Sequence, residues 1–218
     1  MLKTYFLELN DFKKTFTFEE IYNKVSTYRK GKVDRLQFEK DKWLSLGAEY
    51  LFMKGLKELN IDYSKIEIEH IERNKPIFKN YPKNLYYNLS HSGNMAMCVI
   101  SDKNIGCDIQ EITEKENILE LAKRFFHPDE FKIVQNAQEI ERLDYFFRIW
   151  TLKESYIKNT GKGLGTSLRD FKICIDDNLK FYINDVLNEN YIFKEIQTGD
   201  SKYKSAICIN KYWLIEKR

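Results

Sequence analysis

Apolar residues change their spacing along this chain, and each change marks an element. Leu2 to Leu9 reads as a strand. From Gln37 to Leu59 the residues Trp43, Leu44, Leu46, Leu51, Phe52, Leu56 and Leu59 recur at helical spacing, which predicts a long helix. Ile61 to Ile71 alternates as a strand does, through Ile66, Glu67, Ile68 and Glu69. Tyr86 to Leu89, Met95 to Ser101 and Ile105 to Ile109 are further strands, separated by the turn signals Ser92-Gly93-Asn94 and Asp102-Lys103-Asn104.

Similar elements return in the second half. Thr113 and Glu116 are spaced as a capping box and predict a helix running through Phe126. Pro128, with Asp129 and Glu130 behind it, opens another. Asp144 to Thr160 is a strongly aromatic helix that Gly161 ends. Strand-like runs follow at Phe171–Ile175, Lys180–Ile183, Tyr191–Ile196, Lys204–Ile209 and Tyr212–Ile215. The expected fold is α+β, with two similar lobes at 1–103 and 104–218, each a long helix packed on antiparallel strands.

Composition narrows the class. The 218 residues include 15 Phe, 14 Tyr and 3 Trp, too many aromatics for a solvated coil, and only 9 Gly and 3 Pro, too few for a linker-rich chain. Lys and Arg (36) barely outnumber Asp and Glu (33), so the net charge of +3 does not call for nucleic acid, and no helix-turn-helix or RNP motif is present. Met1 to Leu9 lacks the apolar stretch of a signal peptide, and the longest apolar run, Met95 to Ile100, is too short to span a bilayer. A cytoplasmic protein with no membrane contact is expected. Cys98, Cys107, Cys174 and Cys208 form no C-x-x-C pair and sit in apolar runs, so buried, reduced thiols are expected rather than a zinc site.

Several clusters suggest chemistry. On a strand from Ile105 to Gln110, Ile105, Cys107 and Ile109 fill one face, while Gly106, Asp108 and Gln110 share the other. A carboxylate and an amide then project together, with a glycine leaving room beside them; a solvated polar face would read the same way. Around the aromatic helix, Tyr145, Phe146, Ile149, Trp150, Leu152, Tyr156 and Ile157 form one apolar arc. Lys153 falls inside that arc, a costly place for a charge unless it is paired. Glu154 and Lys158 lie at its edge, four residues apart, where a surface ion pair would contribute about 0.3 kcal/mol. Gly161-Lys162-Gly163-Leu164-Gly165 is glycine-rich and basic but matches no phosphate-loop pattern. Ser90, His91 and Ser92 gather hydroxyls and an imidazole where a strand enters a turn, and Arg29, Lys30, Lys32 and Arg35 form a basic cluster.

In this order the pieces resemble the Sfp-type 4′-phosphopantetheinyl transferases. The matching residues are Asn74-Lys75-Pro76, Asn88-Leu89-Ser90-His91-Ser92, Gly106-Cys107-Asp108-Ile109, Phe125-Phe126-His127-Pro128-Asp129-Glu130 and Trp150-Thr151-Leu152-Lys153-Glu154-Ser155-Tyr156-Ile157-Lys158. The resemblance implies a pseudo-two-fold α+β fold with coenzyme A in the cleft between lobes. It implies transfer of 4′-phosphopantetheine from coenzyme A to a serine of an apo acyl- or peptidyl-carrier protein by a monomer, with Mg²⁺ on the pyrophosphate. Under that resemblance Asp108, Gln110 and Glu154 face the metal. Glu154 is also the base, Lys158 meets the leaving bisphosphate, and Lys153 is held near the metal–phosphate cluster. Ser90 and His91 meet phosphates, Lys75 and Pro76 line the adenine site, and Arg29, Lys30, Lys32 and Lys42 meet the 3′-phosphate.

Three positions depart from the family pattern. Gln110 stands where the second metal acid is usual, and Glu111 faces the other way on a regular strand. Lys42 stands for the usual Arg, and Asn74 for the usual Gly. Two rival readings remain open: a coenzyme A- or carrier-binding module that has lost catalysis, with Gln110 as the symptom, and a transferase acting on the thioester of coenzyme A.

Overall fold

The structure is a computed structural model and describes residues 1–71, 75–78, 85–114, 117–176 and 178–212. The first lobe opens with strand β1 (Leu2–Glu8). Three short helices follow, α1 (Leu9–Thr15), α2 (Phe18–Lys24) and α3 (Thr27–Asp34), then the long α4 (Glu39–Glu58). Strands β2 (Ile68–Ile71) and β3 (Lys75–Phe78) form a small antiparallel pair. β4 (Tyr86–Ser92) and β5 (Met95–Ser101) complete a sheet ordered β1-β5-β4.

The second lobe begins with β6 (Ile105–Glu111), then α5 (Ile118–Phe125), α6 (Pro128–Asn136) and the 22-residue α7 (Glu139–Thr160). A sheet of β7 (Phe171–Cys174), β8 (Lys180–Ile183) and β9 (Val186–Leu187) lies beside a second one, ordered β10-β11-β6, made with β10 (Tyr191–Glu195) and β11 (Tyr203–Asn210). The architecture is thus α+β, with a long helix on a three-stranded antiparallel sheet in each lobe.

Strand β5 explains the longest apolar run. Its Ala96, Cys98 and Ile100 pack under α4 with Leu44, Phe52 and Leu56. Its Met95, Met97 and Val99 face the other lobe, against Ile105, Cys107 and Ile109 of β6 and Ile207 of β11. A strand buried on both faces has no polar alternation to show. The lobes therefore share a core. The cysteines form no disulfide; Cys98, Cys107 and Cys208 are buried as expected, while Cys174 is only half-buried.

The polar face of β6 is not solvated. It lies under α7, and Gly106 is what lets the helix approach: a Cβ there would overlap the backbone O of Ser155 and N of Asn159. The room beside Asp108 expected for a ligand at this glycine is filled by helix backbone instead. Asn159 fixes the contact, its Nδ2 donating to Asn104 O (3.0 Å) and Cys208 O (2.8 Å).

Several element boundaries differ from expectation. The short helices α1 to α3 carry little periodic apolar surface and are set instead by caps: Glu8, Thr17 and Ser26 accept from the N–H of Asp11, Glu20 and Arg29. Within 61–71 only Ile68–Ile71 is strand, because Tyr63–Lys65 is a single 3-10 turn capped by Asp62. Helix α5 starts after Asn117, whose side chain accepts from Glu120 N, so Thr113 does not cap it; Glu116 lies outside the described residues. Helix α7 begins one turn before Asp144, and Gly161 ends it with a left-handed φ of 72°. The strand expected at 212–215 falls mostly outside the described residues.

The close contact at Gly106 makes a direct prediction. Gly106→Ala should destabilise the fold by about 1–3 kcal/mol, as overpacking does, because backbone rather than a flexible side chain must move. Urea denaturation of the two proteins measures it.

Candidate active site

Strands β4 and β6 are the facing edges of their two sheets, and they meet through side chains. Asn88 Oδ1 accepts from Cys107 N (3.0 Å), Ser90 Oγ from Ile109 N (3.3 Å) and Ser92 Oγ from Glu111 N (3.0 Å). Alternation puts these three polar residues on one side of β4, so they satisfy successive edge N–H groups of β6 that would otherwise be orphaned.

Ser90 also reaches the chemistry. Its hydroxyl donates to Asp108 Oδ1 (2.9 Å) and accepts from Lys158 Nζ (2.8 Å). Lys158 donates to the same Asp108 oxygen at 2.6 Å. The other Asp108 oxygen accepts from Gln110 Nε2 (3.1 Å), and Ser92 Oγ donates to Gln110 Oε1 (3.2 Å). Asp108 and Gln110 therefore do share a face. Glu111 turns toward the hydroxyl of Tyr203, which donates to it at 3.5 Å.

Glu154 is half-buried beside this group, and no hydrogen bond to its carboxyl is found among the described residues. Burial raises its pKa, the charge of Asp108 raises it further, and Lys158 only partly opposes them. The surface pair between Glu154 and Lys158 is not formed; Lys158 goes to Asp108. Burial alone would lower the Lys158 pKa, but Asp108, with Cys107 and Glu154, holds it above the ordinary value. His91 is open to solvent at one edge and crowded at the other. Its pKa is lowered by burial and then by Lys158, so the ring is neutral near pH 7. The first turn of α4 is close enough for Asp41 to oppose this shift.

Other expected site residues are placed elsewhere. Lys153 is fully buried, its ammonium 2.6 Å from Glu130 Oε2 and 2.6 Å from Phe171 O, and it does not join the Asp108 group. The charge in the apolar arc is paired, as burial demands, but by a carboxylate of α6. Arg29 is already held by Glu49 (2.9 Å) and Ser45 (3.2 Å), so its guanidinium belongs to the packing of α3 on α4. Lys30 lies over the Tyr22 ring and exposed Lys32 over Tyr28. Lys42 is half-buried on the first turn of α4. Pro76 is half-buried on β3. Lys75 is on the same strand, but its side chain lies outside the described residues.

Sequence reasoning quoted Asn88, Ser92 and Glu130 within the matching motifs but gave none of them a structural role. The alternation of Asn88, Ser90 and Ser92 was a usable signal for the first two; for Glu130 neither the motif nor its place in the first turn of a helix pointed to Lys153. Beside Gln110 a cavity of ≈ 250 Å³ opens, lined by Ser92, Gln110, Glu111, Thr113, Phe146, Phe147 and Trp150.

Comparison with known proteins decides the family. A family described as "4'-phosphopantetheinyl transferase superfamily" matches residues 104–208, and one described as "4'-phosphopantetheinyl transferase, N-terminal" matches 13–103. A 4′-phosphopantetheinyl transferase of Bacillus subtilis is 31% identical over 185 residues, covering 84% of this chain and 81% of the relative. The chain belongs to the 4′-phosphopantetheinyl transferase superfamily. The transferase Sfp of Bacillus subtilis (strain 168) is 30% identical over 193 residues, covering 87% of this chain and 84% of its own. A relative from Xenopus laevis, named L-aminoadipate-semialdehyde dehydrogenase-phosphopantetheinyl transferase, is 26% identical over 209 residues, covering 86% of this chain and 68% of its own. Among the described residues no helix is long and apolar enough to cross a membrane.

The crowded carboxyl of this transferase should show in its stability. A raised native pKa means that the folded state holds the Glu154 proton more tightly than the unfolded chain does. Stability is then lost as pH rises from the ordinary carboxyl range through the native pKa. Glu154→Gln should therefore melt at a higher temperature than the wild type at pH 8, and the gain should vanish near pH 4, by calorimetric scans at both values.

Proposed function

We propose that this protein transfers 4′-phosphopantetheine from coenzyme A to a serine hydroxyl of an apo acyl- or peptidyl-carrier protein, releasing adenosine 3′,5′-bisphosphate. The observation that carries this reading is the convergence of Ser90, Asp108, Gln110, Glu154 and Lys158 from β4, β6 and α7 onto one place, where Asp108 is buried and Gln110, Glu154 and Lys158 are half-buried. The lobe at 1–103 supplies Ser90 and His91, and the lobe at 104–218 supplies the carboxylates and Lys158. Both lobes are in one chain, so a monomer suffices.

The donor set suits a hard divalent cation. Asp108, Glu154 and the Gln110 amide offer only oxygen ligands, and two carboxylates face a single ammonium, which leaves the group short of positive charge. These three residues would hold Mg²⁺, which when bound neutralises charge on the pyrophosphate of coenzyme A. Glu154, whose carboxyl has no hydrogen-bond partner among the described residues, takes the serine proton. The serine oxygen then bonds to the pantetheine-side phosphorus as the P–O bond to the adenosine bisphosphate breaks. Lys158 stabilises the charge that gathers on that leaving group. Neutral His91 serves the phosphates as a hydrogen-bonding group rather than as a fixed cation. The cavity beside Gln110, polar at one end and aromatic at the other, suits the pantetheine arm.

Carrier proteins are acidic around their serine, and α5 offers a basic counterpart. Lys123 and Arg124 are exposed, and Arg169 Nη1 donates to Lys123 O beside them. Of the two aromatics that follow, Phe126 is core and Phe125 only partly covered, against Trp150. Lys123→Glu with Arg124→Glu should raise KM for the carrier, more at low salt, and leave coenzyme A affinity unchanged, as measured by steady-state kinetics and calorimetry.

Incubation with coenzyme A, Mg²⁺ and an apo-carrier, followed by weighing the carrier, tests the activity. A gain of one phosphopantetheine is expected, and an unchanged mass rejects the reading. Asp108→Ala should lose most of the rate. Gln110→Glu adds a third charge and should lower the Mg²⁺ needed for half-maximal rate without raising kcat, since tighter ground-state binding does not lower the chemical barrier.

A further inference from the structure

Lys153 and Glu130 form the most deeply buried ion pair among the described residues, with side chains 0% and 2% exposed. Each is held by more than the other. Glu130 Oε2 also accepts from His127 N (2.9 Å), closing the cap of α6, and Oε1 accepts from Ile173 N (2.8 Å) on β7. Lys153 donates to Phe171 O and lies over the Phe171 ring at 4.2 Å. One carboxylate thus binds α6, β7 and α7 at a single point.

Lys153 immediately precedes Glu154. On a helix the two side chains diverge by about 100°, and Lys158 lies on the same flank as Glu154. The apolar contacts around α7 are non-directional. An ion pair with four donor contacts in fixed directions resists even a small rotation of the helix. A rotation of about 20° would move a side-chain tip, about 5–6 Å from the helix axis, by about 2 Å. That shift exceeds what a reacting geometry tolerates.

We propose that Lys153 and Glu130 are positioning residues that set the rotation of α7, so that Glu154 and Lys158 face Asp108. The proposal rests on the transferase reading above. It gives Lys153 a role away from phosphate: it touches neither substrate nor metal, and acts through the helix that carries Glu154. Asn159 secures the C-terminal end of the same helix, and Lys153 secures the turn where the carboxylate leaves it.

The test uses the full chain saturated with coenzyme A and a calorimetric titration of Mg²⁺, alongside melting temperature. Lys153→Met leaves a buried carboxylate without its cation and should lower the melting temperature. Lys153→Met with Glu130→Gln buries no unpaired charge and should recover much of that loss. A purely structural pair predicts that Mg²⁺ affinity recovers with it. Positioning predicts that affinity stays down, by about tenfold or more, while coenzyme A affinity changes little. Should the single variant not fold, the double variant carries the measurement alone. An affinity in the double variant within about fivefold of the wild type overturns the proposal, and a weaker one supports it. Wild-type protein that binds no Mg²⁺ with coenzyme A present would instead overturn the transferase reading, which separates the two failures.

Discussion

Three side-chain oxygens on one strand hold the two lobes in register. Asn88, Ser90 and Ser92 take the place of the backbone ladder that would join β4 to β6 if the sheets were continuous. Side chains reach further than carbonyls, so the two edges meet without a backbone ladder above the shared core of Met97, Val99, Cys107 and Ile207. Each buried N–H left without its acceptor would cost about 1–3 kcal/mol, so the junction tolerates little change at these positions. The middle rung is also a working part, because the Ser90 hydroxyl that accepts from Ile109 N donates to Asp108. The lobe junction and the candidate site are therefore one structure, and neither lobe alone contains it.

The second constraint is the depth at which α7 lies on β6. Gly106 removes the side chain that would hold the helix off, and Asn159 bonds the helix to both neighbouring strands. Only at that depth does Lys158 reach an aspartate on the strand below at 2.6 Å. Cys107, on the opposite face of β6, is buried so thoroughly that its thiol pKa is pushed up to about 12, which keeps a nucleophile close to the site unreactive.

How much of this could be read from the sequence depends on the range of the interaction. Strand faces and helix arcs are local, so the alternation of Ile105, Cys107 and Ile109 against Asp108 and Gln110 was legible, as was the long aromatic helix ended by Gly161. Caps are local too, but several polar residues can compete for one helix start, and Asn117 took the position read as Thr113. Partners distant in the chain were out of reach. Arg29 finds Glu49 and Lys153 finds Glu130, both about 20 residues away with no periodicity to announce them. For Lys153 burial physics required a partner; the resemblance placed it near the metal–phosphate cluster, and its partner in the fold is Glu130. The glycine at 106 was noticed for the space it leaves, but what fills that space is backbone from a helix some 50 residues on.

Charge in the cleft ties the fold to its chemistry. On the proposed function, two carboxylates face the place where a polyanion would bind, which by itself would repel the substrate. Lys158 offsets one of them and, in doing so, is engaged rather than free. Glu154 is left with a raised pKa, and His91, beside the same ammonium, with a lowered one. The Glu154 shift reflects burial and the incompletely balanced charge of Asp108, whereas the His91 shift reflects burial and the positive Lys158. A divalent cation arriving with the pyrophosphate would supply the missing positive charge and lower the Glu154 pKa. That lowering matters for the proposed function, because a carboxyl must be ionised to accept a proton. On the proposed function, the electrostatic cost that weakens the fold at Glu154 would favour metal and substrate binding together rather than separately.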